Sequence, residues 1–186
     1  MSNENWFKNY FKLYDSLYND IVIKDLEKLK NIFKDTNKKN NKIVLFGNGG
    51  SAAIASHVAV DLVKNASINA VTYNEYNLIT CLANDYGFSH WMEKAIDNYC
   101  SEGDLIILIS SSGNSENVVN AAEKSKEMGL KVVTFTGFNR DNSLKNIGDF
   151  NFWVDSKAYN VVEMTHQIWL LSVVDSIIGS AEYSAS

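Results

Sequence analysis

Val44-Leu45-Phe46-Gly47-Asn48-Gly49-Gly50-Ser51 runs from an apolar stretch into a Gly-rich turn, and the small-residue segment Ala52-Ala53-Ile54-Ala55-Ser56 follows at once. The pattern predicts a buried strand, a tight turn and the first turns of a helix. Glycines let the backbone turn sharply and approach a ligand closely. The free N–H groups of a helix start then face the same space, with the positive end of the helix dipole behind them. Such a place suits an anion, a phosphate above all. An ordinary strand-to-helix turn that binds nothing carries the same local pattern. No Gly-Lys-Ser/Thr follows, and Gly47-Asn48-Gly49-Gly50 departs from G-x-G-x-x-G, so no nucleotide cofactor is expected.

A second stretch repeats the design. Leu105-Ile106-Ile107-Leu108-Ile109 is another buried-strand run, and it delivers Ser110-Ser111-Ser112-Gly113-Asn114-Ser115 ahead of the helical pattern Val118-Val119 and Ala121-Ala122. Four hydroxyls and the backbone around them supply O–H and N–H donors together, although Ser115 suits a plain helix N-cap equally well. Two donor-rich strand-to-helix turns would share the edge of a parallel sheet where open α/β folds bind ligands.

The remaining elements read outward from these two. Trp6, Phe7, Tyr10, Phe11, Tyr14, Leu17 and Tyr18 recur at three- and four-residue spacing, which predicts a helix with an aromatic face that packs in a core or against another subunit. Ile23–Phe33 is a second helix, and Asp35–Asn41 a polar loop. Ile68–Tyr73, Lys131–Thr136 and Phe150–Val154 are further strands. Trp91–Tyr99, Val118–Met128 and Val161–Ile178 are helices, with a polar loop from Gly137 to Gly148 and a turn at Asn84-Asp85-Tyr86-Gly87. Strands alternating with helices predict an α/β fold, a three-layer αβα sandwich with a parallel doubly wound sheet and N-terminal helices. One domain spans 1–186, residues 1–41 being the N-terminal helical region and 42–186 the α/β body.

The segments Phe46–Ser51, Ile109–Ser115 and Lys131–Gly137 together resemble the sugar isomerase (SIS) fold, and within it the phosphoheptose isomerases, which interconvert sedoheptulose 7-phosphate and a heptose 7-phosphate. The resemblance runs from about Ile43 to Ile178. It implies a phosphate on Ser110, Ser111, Ser112 and Ser115, with Asn48, Gly49, Gly50, Ser51, Asn84 and Asp85 orienting the sugar. It also implies a homotetramer with helices bundled at its centre, and heptose assembly for a surface polysaccharide.

His57 and Asp61 lie four apart on one helical face, which suits two metal ligands or a surface hydrogen bond. By resemblance they fall where the family has a metal-binding His and a catalytic Glu, so this chain carries the shorter carboxylate. Glu163 falls where the family has a Gln, and His166 matches a recurrent His. The family's catalytic His would fall on Leu171. Either His166 takes its place through a shifted helix, or that acid is missing. The expected catalytic set is therefore Asp61, Glu163 and His166, with Zn2+ on His57, Asp61 and Glu163. Aldose–ketose isomerisation needs such a base and electrophile. A non-catalytic SIS protein that binds a sugar phosphate or a protein partner, or an isomerase of another phosphosugar, is the alternative.

Composition narrows the partners. A net charge of −5 with a pI near 5.2 argues against a nucleic-acid surface, so an anionic substrate has to be held by local dipoles. The two cysteines, Cys81 and Cys100, are far apart and suit a reducing cytoplasm. The polar start predicts no leader, and no stretch reads as long enough to span a membrane.

Overall fold

The computed structural model describes residues 3–15 and 18–183; Leu17 of the aromatic stripe lies outside them. Five strands make one sheet: β1 (Ile43–Gly47), β2 (Ala70–Thr72), β3 (Leu105–Ser110), β4 (Lys131–Thr136) and β5 (Phe150–Trp153), in the order β2-β1-β3-β4-β5. Every pairing is parallel, as the sequence pattern predicts. Each strand is followed by a helix that returns the chain across a face of the sheet, which is what parallel pairing demands.

The apolar runs of β1 and β3 are buried on both faces, and alternate residues serve alternate layers. Ile43, Leu45, Leu105, Ile107 and Ile109 pack under α2 (Asp20–Lys38), α3 (Gly50–Lys64) and α8 (Tyr159–Ile178). Val44, Phe46, Ile106 and Leu108 pack under α4 (Tyr76–Tyr86), α5 (Trp91–Tyr99), α6 (Glu116–Glu127) and α7 (Ser143–Ile147). The result is the three-layer sandwich.

Four sequence expectations are corrected. Asp35–Lys38 continues α2, because Thr36 is drawn into the helix by its hydroxyl on the Ile32 carbonyl and only Asn40 turns left-handed. Asn84 and Asp85 belong to the last turn of α4, which stops at Gly87 with φ +88°. The polar loop after Gly137 contains α7, capped by Asn142 on the Lys145 N–H. Finally, α8 is long and apolar enough to cross a membrane by length and composition, yet half of that stretch is buried inside the fold. Core packing explains its hydropathy.

The first helix, α1 (Asn3–Phe11), does not join either layer's core. Trp6 stacks on Tyr10 with ring centroids 5.2 Å apart, and the Tyr10 and Tyr14 hydroxyls lie 3.4 Å apart. Trp6, Phe7, Phe11 and Tyr18 are exposed, and so are Ile21 and Ile23 at the start of α2. Together they form an exposed apolar surface at the start of the chain.

Candidate active site

From β1 the chain moves outward to β2 and then crosses back to β3 on the other side of β1. Gly47 pairs with Ile109, so the turns that follow the two strands leave side by side and diverge. This reversal is the switch point at which open parallel sheets bind ligands. The Gly-rich turn and the serine turn form its two lips.

Local chemistry shapes the lips. Gly49 takes φ +52°, a conformation that an L side chain adopts only under strain. Asn48 and Asn117 exchange reciprocal amide hydrogen bonds of 2.9 Å, which tie the β1 turn to the first turn of α6. Ser110 Oγ donates to Ser115 Oγ at 3.2 Å, and Ser112 Oγ accepts from the Asn114 N–H. Ser115 begins α6 as its N-cap residue, but its hydroxyl makes no cap bond. The hydroxyl of Ser111 is buried and has no partner among the described residues.

Asn48, Ser51, Ser110, Ser111, Ser112, Ser115 and Tyr159 line one small cup. Three helices begin at its wall, α3, α6 and α8, and, like α4 and α5 elsewhere, none has a side-chain cap. The first N–H groups of a helix lack intrahelical acceptors, so uncapped starts leave donors for an anion. No Lys or Arg lines the cup. Beside it, sharing Asn48 and Ser115, lies a cleft of about 480 Å³ bounded by Phe88, Ser89, Glu116 and Asn117. It has room for the carbon chain of a phosphorylated sugar.

The SIS domain family matches residues 6–137. A phosphoheptose isomerase of Akkermansia muciniphila is 34% identical over 148 residues, covering 76% of this chain and 78% of that protein. The chain belongs to the phosphoheptose isomerase family of SIS domains. Among solved structures, the phosphoheptose isomerase of Francisella tularensis superposes with a TM-score of 0.87 at 24% identity, covering 96% of this chain and 99% of that one. GmhA of Neisseria gonorrhoeae gives 0.86, also at 24% identity, over 95% and 96%. These two share the fold.

In this SIS domain α8 sends a polar stripe toward α3. Tyr159 reaches the cup, and Glu163, one turn on, rests its carboxylate on Gly50, where a Cβ would lie 2.4 Å from Oε2. Only glycine leaves that space. Burial raises the Glu163 carboxyl above the ordinary carboxylate range. One turn further, the Gln167 amide donates to His57 Nδ1 at 3.0 Å, while His57 Nε2 stands 3.4 Å from Asp61 Oδ2. Asn65 Nδ2 in turn donates to Asp61 Oδ1 at 3.1 Å. Both contacts are attractive for a neutral imidazole with its proton on Nε2. Sequence reasoning overlooked Tyr159, Gln167 and Asn117. The first two stand four residues either side of Glu163, a spacing that could have shown them.

The resemblance implied Zn2+ on His57, Asp61 and Glu163, and the residues do not fit it. Glu163 sits on the first residue of α3, and Asp61 lies eleven residues along the same helix, about 16 Å at 1.5 Å per residue. Both His57 nitrogens are engaged, leaving no lone pair toward a cation. Among the described residues no group of three His, Cys, Asp or Glu could hold a metal ion.

His166 is also not brought to the cup. α8 is unbroken, and His166 is wholly buried, its Nε2–H donated to the Thr136 carbonyl at 3.0 Å and its ring against Phe135. Burial pushes its pKa down to about 4. An imidazole with no solvent or substrate beside it serves packing. Leu171 packs at the margin of the core. Asn84 and Asp85 are exposed and line neither the cup nor the cleft; Asn84 donates to Asp85 instead.

Proposed function

We propose that this single-domain chain is an aldose–ketose isomerase that interconverts sedoheptulose 7-phosphate and D-glycero-D-manno-heptose 7-phosphate, supplying heptose for a surface polysaccharide in the cytoplasm. The observation that carries the reading is the cup: a buried, unpartnered Ser111 hydroxyl among three uncapped helix starts, with a buried carboxyl on the glycine at its lip. Family membership points to the same substrate class.

In this reading Ser110, Ser111, Ser112 and Ser115 hold the phosphate with the helix amides, and Asn48, Gly49, Gly50 and Ser51 orient the sugar. Glu163 takes the proton from one of C1 and C2 and returns it to the other through an enediol, while the proton between the two oxygens is exchanged with water. Its burial raises its affinity for a proton above that of an ordinary carboxylate. No step is routed through zinc, because the ligands do not assemble. Turnover of sedoheptulose 7-phosphate by purified protein is expected to persist in chelator, and Ser111→Ala is expected to raise KM about tenfold. Absence of turnover with sedoheptulose 7-phosphate still raising the melting temperature would replace the isomerase with a binding protein.

The exposed aromatic face of α1, together with Val60 and Val63 on α3 and Met164 and Ile168 on α8, supports a homotetramer bundled on its helices. Light scattering is expected to give four times the chain mass of 20.9 kDa, and Trp6→Ser with Phe11→Ser to lower it. A monomeric wild-type chain would remove that part of the reading.

A further inference from the structure

We propose that Tyr159 is a substrate-contacting residue, its phenol O–H closing the phosphate cup on the side where the serine turn gives way to α8. This deepens the reading above and rests on the cup being a phosphate site. Tyr159 is the first residue of α8 and lines the same cup as Ser111, whose side chain is 97% buried and whose hydroxyl has no partner. An unpartnered donor held out of water is costly unless a ligand accepts from it. The cup, of about 20 Å³, leaves room beside that hydroxyl for one acceptor atom such as a phosphate oxygen, and Tyr159 is the one residue of its wall that α8 contributes.

The backbone beside it is arranged to hold the ring. Phe138 takes φ +54°, an unfavourable conformation for a bulky residue, and its N–H is anchored on the Ser156 carbonyl at 3.0 Å. Its ring meets that of Tyr159 edge to face, with centroids 5.5 Å apart. Phe138 also packs against the core, so the ring that Tyr159 leans on is itself held in place. Tyr159 as a residue is more than half exposed, so a ligand can reach it.

The chemistry of the cup gives the phenol its weight. With no cation in the wall, a phosphate is bound by neutral donors and helix dipoles alone, and an O–H on a charged oxygen is among the stronger of these. Glu163 follows one turn later on the same face, so a phosphate held by Tyr159 also fixes the start of the helix that carries the proton-transferring carboxyl.

Inorganic phosphate titrated into the full-length chain by calorimetry tests this, with Tyr159→Phe beside Ser111→Ala. Tyr159→Phe is expected to weaken phosphate about tenfold and to raise the KM for sedoheptulose 7-phosphate by the same factor, with kcat unchanged. The melting temperature is expected to stay, because the hydroxyl has no partner within the described residues. If Ser111→Ala weakens phosphate and Tyr159→Phe does not, the cup stands and the role of Tyr159 is overturned. If neither variant weakens it, the phosphate reading of the cup fails and the proposal falls with it.

Discussion

Glu163→Gln is expected to lower kcat for sedoheptulose 7-phosphate by about a thousandfold while leaving phosphate affinity within about twofold. The substitution keeps the shape that packs on Gly50 and removes only the capacity to accept and release a proton. It also installs the residue that the family resemblance leads one to expect at this position. In this chain that change is expected to be damaging because the resemblance puts the family's acid at Leu171, a core-packing residue, and His166 is locked into the core. Burial raises the Glu163 pKa, so the acid limb of kcat/KM is expected to be displaced upward from that of an ordinary carboxylate. Activity within tenfold of wild type in Glu163→Gln, with an unchanged fold by circular dichroism, would move the proton transfer to another group. His57 and Asp61 would then be the next to test.

The parts of the site that sequence revealed are those made by neighbouring residues. Asn48–Ser51 and Ser110–Ser115 each follow an apolar run, and the parallel register then places both at one edge without further information. What stayed hidden is long-range. Asn48 meets Asn117 across 69 residues and His57 meets Gln167 across 110, and no local pattern pairs two amides or an amide with an imidazole. The expected metal trio failed for a related reason. Helical spacing puts His57 and Asp61 on one face, but it gives no measure of how far along α3 a residue of another helix will land.

The placement of His166 shows how fine the distinction is. Residues three and four apart both count as neighbours on a helix, yet at about 100° per residue they fall on opposite sides of the reference position. From Glu163, that difference sends Gln167 toward His57 and His166 toward Phe135. A sequence reading cannot choose between them unless the direction of the sheet is known. The N-terminal stripe posed a similar choice between core and interface, and the fold leaves it outside both layers' cores, with Trp6, Phe7 and Phe11 exposed.

Because His166 is neutral in the folded chain, the protein is expected to lose stability on acidification in a way that this one residue controls. Above pH 6.5 the ring is uncharged in the folded and unfolded chains alike, so it adds no pH dependence. Between pH 6.5 and about 4 the unfolded chain takes up a proton that the buried ring refuses. Stability therefore falls as pH falls through this window and levels off below it. At roughly 1.4 kcal/mol per pH unit the full effect is about 3 kcal/mol, a large share of a typical domain's stability. Urea unfolding at pH 7 and pH 4 measures it, with His166→Gln and His166→Leu as the comparison. Both variants cost stability at pH 7 through the lost Thr136 contact or altered packing, and that cost is expected to shrink by about 3 kcal/mol at pH 4. Other carboxyl groups titrate in the same range, among them Glu163 with the opposite sign, but they are common to all three proteins and cancel. A wild-type to variant difference that does not change with pH would show that the imidazole finds a partner for its charge, and that the Thr136 carbonyl is not its only polar neighbour.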